Sequence, residues 1–133
     1  TYRVITGLGF YDGIASMFFS SEIVGIYFSN GSAGSSGTTD FDLIRIDENG
    51  VNQGSIFSVT PKINSTASNE VVAFRNLTTG LDISPTGVTL PTFNRTTFNA
   101  GTSLYLRLNS AMVSASNASL GIFYKPINAS EVI

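Results

Sequence analysis

The chain has 133 residues, the size of one domain, with 12% charged residues and a net charge of −2. It lacks cysteine and histidine, which excludes disulfides, cysteine-based metal sites and the usual catalytic triad. The seven scattered basic residues form no stripe suited to nucleic acid, and no apolar run approaches the ~20 residues of a membrane span.

Short apolar or alternating runs, separated by Gly, Ser, Asn, Asp and Pro, recur along the chain and are typical of antiparallel β-structure. The predicted strands, in chain order, are Tyr2–Phe10, Ala15–Phe19, Ile23–Phe28, Phe41–Asp47, Ser55–Thr60, Val71–Arg75, Gly87–Leu90, Leu104–Leu108 and Ser119–Lys125. Alternation is clearest in Leu104–Leu108, whose three leucines are expected to face the core. The pair Asn49-Gly50 predicts a tight turn with positive φ angles. We therefore expect an all-β fold over residues 1–133, an antiparallel sandwich of about eight or nine short strands, jelly-roll or immunoglobulin-like.

The first predicted strand has an uneven distribution of side chains. One face carries the larger residues Tyr2, Val4, Thr6, Leu8 and Phe10, and the other carries two glycines. In this respect it resembles the donor strands of pilus-like filaments, in which one subunit completes the sheet of the next. The resemblance implies assembly into a homopolymer, whereas the alternative is an ordinary first strand that pairs within its own subunit.

A second resemblance lies in the middle of the chain. The stretch Gly34–Leu43, the tetrapeptide Gly54–Phe57, the tripeptide Pro61–Ile63 and the later Thr97–Leu104 resemble a pattern found in jelly-roll domains of phage and other virion surface proteins. In that pattern an acidic residue commonly follows the glycine that opens a strand, and here Thr102 takes its place. The resemblance implies a β-sandwich used for assembly or attachment, and it brings no catalytic residue with it.

The sequence is also rich in N-glycosylation motifs. Eleven asparagines and 32 serines and threonines would produce roughly two or three Asn-x-Ser/Thr motifs by chance, and the chain has six. The candidate glycosylation sites are Asn30, Asn64, Asn76, Asn94, Asn117 and Asn128. Covalent N-glycans on an extracellular chain would explain how so few charges keep the surface soluble. The alternative is that a chain of this composition contains the motifs by accident.

Few residues suggest chemistry. Asp40 and Asp42 share one face of a predicted strand, but a solvated polar face explains them better than a glycosidase pair. Oxygen atoms at 47–49 offer a weak calcium site whose spacing is not that of an EF-hand. We therefore expect a protein that is not an enzyme and has no catalytic residue, cofactor or metal.

Three functions remain as hypotheses. The first is a self-assembling structural subunit of an extracellular or cell-surface filament, N-glycosylated and joined by strand donation. The second is a virion appendage, either capsid-decorating or receptor-binding, whose domain is closed on itself. The third is a carbohydrate-binding module, which an exposed cluster of aromatic and Asn or Asp side chains would favour. Pairing of Tyr2–Phe10 with another chain or with its own distinguishes the first from the second, and a host or cell-surface receptor stays open in both.

Overall fold

The computed structural model describes residues 2–6, 14–30, 35–67, 70–112 and 118–133, and it is almost entirely β-structure. The strands in these ranges are β1 (Tyr2–Thr6), β2 (Ile14–Ser16), β3 (Ser21–Asn30), β4 (Thr38–Ile46), β5 (Asn52–Ser55), β6 (Phe57–Val59), β7 (Lys62–Asn64), β8 (Val71–Asn76), β9 (Asp82–Ile83), β10 (Val88–Thr89), β11 (Thr92–Phe93), β12 (Thr97–Phe98), β13 (Ser103–Ser110) and β14 (Ser119–Pro126). A turn of 3-10 helix, Ala129–Glu131, follows β14. None of the described helical residues belongs to a helix long and apolar enough to cross a membrane.

Two six-stranded antiparallel sheets are built from nested strand pairs, and β6 with β11 forms a separate two-stranded sheet. Sheet A has the order β1-β14-β3-β8-β9, with β12 also paired to β3, and sheet B has the order β10-β7-β4-β13-β2, with β5 also paired to β4. The outermost pair in sequence is β1 with β14, and inside it lie β2 with β13, β3 with β8, and β4 with β7. Successive pairs alternate between the two sheets, so the chain runs as one long antiparallel ribbon wrapped over itself. This is the strand order of a jelly roll, one of the two predicted kinds of sandwich.

The core lies between the two sheets. The buried side chains that face each other across it include Ile26, Phe28, Leu120 and Ile122 from sheet A and Phe41, Leu43, Leu104, Leu106 and Leu108 from sheet B. The rings of Phe28 and Phe41 cross from one sheet to the other with their centroids 5.6 Å apart. Each such side chain contributes about 1.5–3 kcal/mol by leaving water, so this layer is what holds the sheets together. The predicted alternation of leucines in Leu104–Leu108 is confirmed.

The all-β sandwich is confirmed, but it has more strands than the sequence indicated. The predicted strand Ser55–Thr60 is divided between β5 and β6, which bond to different partners. The short strands β7, β9, β11 and β12 were not predicted, because two or three residues leave no visible alternation. The predicted strand Ala15–Phe19 ends at Ser16, and Phe18 is 86% exposed.

The predicted tight turn is present with a different geometry. The N–H of Gly50 donates to the carbonyl of Asp47 over 2.9 Å, which closes the turn. Among the described residues the only non-glycine with positive φ is Glu70, so Gly50, at φ 80°, takes the left-handed conformation and Asn49 does not. The turn therefore needs glycine at one position rather than positive φ at two.

Candidate functional site: the edge strand and the outer face of sheet A

The first strand pairs within its own chain. The backbone of β1 lies antiparallel to β14, with Thr6 opposite Ser119 and Tyr2 opposite Phe123. It is the terminal strand of sheet A and has this one neighbour among the described strands of the sheet. The candidate assembly residues Leu8 and Phe10 lie outside the described residues.

The register fixes which core residues β1 adjoins. The alternate positions Arg3 and Ile5 are opposite Ile122 and Leu120, which are buried. Val4, from the face predicted to be inserted into a neighbour, is opposite Gly121. The candidate assembly positions Tyr2, Val4 and Thr6 are thus paired with residues that do not belong to the core cluster.

The outer face of sheet A is unusually apolar for a solvent-facing sheet. One cross-strand row runs through Gly121 of β14, Tyr27 of β3, Phe74 of β8 and Ile83 of β9. Neighbouring rows add the large residues Phe123 and Val72. We call the set Tyr27, Val72, Phe74, Ile83 and Phe123 the apolar face.

Three members of the apolar face are well exposed. Val72 is 55% exposed, Ile83 44% and Phe123 38%. The turn between β8 and β9 borders them and adds Leu77 at 38% and Leu81 at 55%. These five side chains together present on the order of 400 Å² of apolar surface, a size at which a patch on a monomer is often functional.

Aromatic rings make the centre of this face rigid. The ring of Tyr27 lies against Gly121, so close that a Cβ built on the glycine would be 2.2 Å from the Tyr27 Cε1. The same ring is tilted by 49° against the ring of Phe123, with 5.9 Å between centroids. A large side chain at position 121 would therefore displace Tyr27 from the sheet surface.

A groove with a volume of about 400 Å³ opens beside these rings. Gly25 lies between its cross-strand partners Phe123 and Asn76 in the lining, to which Val24 and Phe74 also contribute. A Cβ built on Gly25 would lie 3.5 Å from both the Arg75 carbonyl oxygen and the Phe123 Cδ2, which is ordinary contact. The groove thus exists because position 25 has no side chain, and a methyl group at this position makes ordinary contacts.

The charged side chains described on the strands of sheet A are mutually paired. Arg75 Nε lies 3.0 Å from Asp82 Oδ1, and Lys125 Nζ lies 3.4 Å from Glu22 Oε1. The hydrogen bonds from Arg75 hold the pKa of Asp82 below its ordinary value and raise the pKa of Arg75. The register places Arg75 and Asp82 in the row of the buried Ile26, on the side of sheet A away from the apolar face, so the pair described beside that face is the neutral Glu22–Lys125 pair.

The two aspartates of β4 lie on the other sheet, and the expected solvated polar face is wrong for Asp42, which is 3% exposed. Asp40 is half-buried, and its Oδ1 has no hydrogen-bond partner among the described residues. The Asp42 carboxylate is buried, and its Oδ1 accepts hydrogen bonds from the Leu43 N–H, at 2.9 Å, and from the Ser55 hydroxyl. Its Oδ2 lies 3.4 Å from Arg107 Nη2 and from Asn109 Nδ2. These donors and the adjacent cation account for Asp42 as a structural group.

The carboxylate oxygens of Asp47, among those that offer a weak calcium site, are engaged in the turn after β4. Asp47 Oδ1 accepts from the N–H groups of Asn49 and Val51, each at 2.9 Å, and Oδ2 accepts from Gln53 at 2.8 Å. These bonds, that of Val51 first, lower the pKa of Asp47. Within the described ranges no three Asp, Glu, His or Cys side chains come together in a way that could hold a metal ion.

The glycosylation candidates differ in accessibility. Asn30 is 2% exposed, a burial that leaves no room for a glycan in the folded domain. Asn128 is exposed, and Asn94 is exposed but its Nδ2 donates to the Phe57 carbonyl over 2.9 Å. Asn64 and Asn76 are half-buried, each with its side-chain oxygen accepting from the backbone of its own turn. Asn117 lies outside the described residues.

The sequence did not single out the apolar face. The sequence predicts a strand at Val71–Arg75, but a continuous apolar run does not disclose which of its residues face solvent. The signal that could have found the face is the cross-strand neighbourhood, which depends on β3, β8 and β14 being adjacent. Comparison with protein families, characterised proteins and solved structures gives no match for this chain.

Proposed function

We propose that this chain is a structural subunit, not an enzyme, of an extracellular surface assembly of the virion-appendage or capsid-decorating kind. The observation that carries the proposal is the pairing of β1 with β14, the outermost of the nested pairs. A domain whose first strand completes its own sheet needs no strand from a neighbour. The resemblance of Gly34–Leu43 and Thr97–Leu104 to virion jelly-roll domains supports the same function.

The composition supports a role in an assembly. Over its whole chain a soluble globular domain usually has about 25% charged residues, whereas this chain has 12%. Association with further copies, or a coat of glycans, would cover the remaining apolar surface. An extracellular or virion surface is where both kinds of cover are available.

The second candidate is the glycosylated filament subunit joined by strand donation. It is favoured by the position of β1 as an edge strand bonded to a single described neighbour in its sheet, since such a strand can be exchanged between copies without disrupting the interior of a sheet. In that case β1 of one subunit would take the same place against β14 of the next.

An engineered disulfide distinguishes these two candidates. Thr6 and Ser119 are register partners, and the chain has no cysteine of its own, so Thr6→Cys with Ser119→Cys gives one defined pair. Oxidation at high dilution should give a monomeric cross-link, seen as a loss of two mass units without a covalent dimer.

The oxidised and reduced proteins are then concentrated side by side and examined by electron microscopy and light scattering. If the domain is closed on itself, both forms assemble equally, as the wild-type chain does. Assembly by the reduced form alone would establish strand donation instead. A wild-type chain that stays monomeric in every condition would rule out both kinds of self-assembly.

A further inference from the structure

We infer that the apolar face of sheet A is the surface by which two copies of this chain associate. The inference rests on the proposed function, because it names the contact through which a surface assembly would be built. It begins from the exposed side chains of Val72, Ile83 and Phe123, which lie on three different strands of one sheet.

The area is of the right order for a second copy. A standard stable interface buries roughly 800 Å² on each partner. The apolar face with its bordering leucines supplies on the order of half of that area as hydrocarbon, close to the apolar share of ordinary interfaces. The polar border of the sheet, with Ser29, Ser119 and Thr78, is available for the remainder.

The charge pattern is also compatible with self-association. In an interface with two-fold symmetry, the same surface patch of each copy faces that of the other. A patch with an excess of one charge would therefore be repelled by the same patch on the second copy. Here the charges described on the outer side of sheet A are those of the Glu22–Lys125 pair, whereas Arg75 and Asp82 lie in the row of the buried Ile26. Among the described side chains of this face, a charged partner of another kind would find no excess of opposite charge, whereas a second copy requires none.

The rings and the groove provide the features of a central anchor. Tyr27 and Phe123 are held against each other and against Gly121, so they lose little conformational entropy on binding. The groove above Gly25 is lined mainly by hydrocarbon and accepts an apolar side chain from the opposite copy. Apolar pockets beside fixed aromatic rings are typical surroundings of the few residues that contribute most of the binding free energy of an interface.

The test measures self-association by sedimentation velocity over a wide concentration range, with unfolding curves recorded for each variant. Val72→Lys places a charge on the apolar face, two residues from Phe74 on the same side of β8, and should weaken self-association at least about tenfold. Val51→Lys is the matched control, since Val51 has a similar exposure of 52% but lies in the turn before β5, and it should associate as the wild type does.

A second variant tests the groove without adding charge. Gly25→Val fills the groove floor at a position where a Cβ makes ordinary contacts, so the fold should be preserved while self-association weakens. If Val72→Lys and Val51→Lys associate alike, this face is not the interface, and the proposed function stands with another contact. A monomeric wild type overturns both. Loss of binding to a saccharide array in Gly25→Val, with association unchanged, would identify the groove as a sugar site and overturn the inference.

Discussion

The ring of Tyr27 occupies the space in which Gly121, its cross-strand partner, would otherwise carry a side chain. A Cβ at position 121 would lie 2.2 Å from the ring, closer than any van der Waals contact allows. The glycine is therefore required by the tyrosine, which in turn covers backbone that would be open to water. This relationship fixes the orientation of the ring at the centre of the apolar face.

Gly121→Ala should consequently destabilise the domain by about 1–3 kcal/mol, as overpacking does elsewhere. Gly25→Ala is the control on the neighbouring strand, where the added methyl makes ordinary contacts, and it should be neutral or stabilising by up to about 1 kcal/mol. Urea unfolding measures both. Equal stability of the two variants would contradict the requirement for glycine.

The buried carboxylate of Asp42 should be needed for its acceptor oxygens. Asp42→Ala leaves the Leu43 N–H and the Ser55 hydroxyl without that acceptor, at a cost of about 1–3 kcal/mol. Asp42→Asn keeps an acceptor oxygen and should cost less. Thermal unfolding of the two variants would reject this account if the alanine variant were as stable as the asparagine variant.

The sequence predicted the elements whose pattern is local and long. Apolar and polar residues alternate in Leu104–Leu108, a strand buried on one face. The sequence of these five residues was therefore enough to predict which side chains face the core. The jelly-roll order depends instead on contacts such as that of β1 with β14, which no local pattern encodes.

The apolar face could not be predicted from the sequence for the same reason. Val71 and Val72 are chemically identical neighbours, yet one is 4% and the other 55% exposed. Which of the two faces the core depends on the register of β8 against β3. Likewise the sequence motif predicts a glycosylation site at Asn30, whereas β3 extends far enough to include this residue and it is buried.

Stability in acid should depend on the Arg75–Asp82 pair. The pKa of Asp82 is lowered in the folded state, chiefly by hydrogen bonds from Arg75, so its contribution is present above the ordinary carboxyl pKa and is lost as the pH falls through the folded value. The melting temperature of Asp82→Asn should fall below that of the wild type at neutral pH. The difference should shrink below about pH 4 and vanish in stronger acid.

Arg75→Gln is the matched variant, because it removes the cation and leaves the carboxylate. It should reproduce the reduced pH dependence of Asp82→Asn. A difference between wild type and Asp82→Asn that stayed constant from pH 7 to pH 2 would show that the ionised pair is not its source.

Glycosylation should follow accessibility if the chain is secreted from a eukaryotic cell. Asn128 is exposed and should be modified. Asn30 is buried, so the folded domain cannot hold a glycan on this residue. Enzymatic release of glycans in heavy-oxygen water, followed by peptide mapping, marks each modified asparagine. A folded protein with a glycan on Asn30 would show that this part of β3 is not buried as described.

Glycosylation of Asn76 should determine whether a glycan or a second copy covers the apolar face, because Asn76 lines the groove beside Phe74 and Phe123. A glycan attached there would stand in the space that a second copy needs, so sugar cover and self-association exclude each other at this face. Self-associated protein should therefore carry no glycan at Asn76, and Asn76→Gln in a glycosylating host should increase the associated fraction. The measurement is the occupancy of Asn76 in separated monomer and oligomer fractions. Equal occupancy in both fractions would place the contact between copies on another surface.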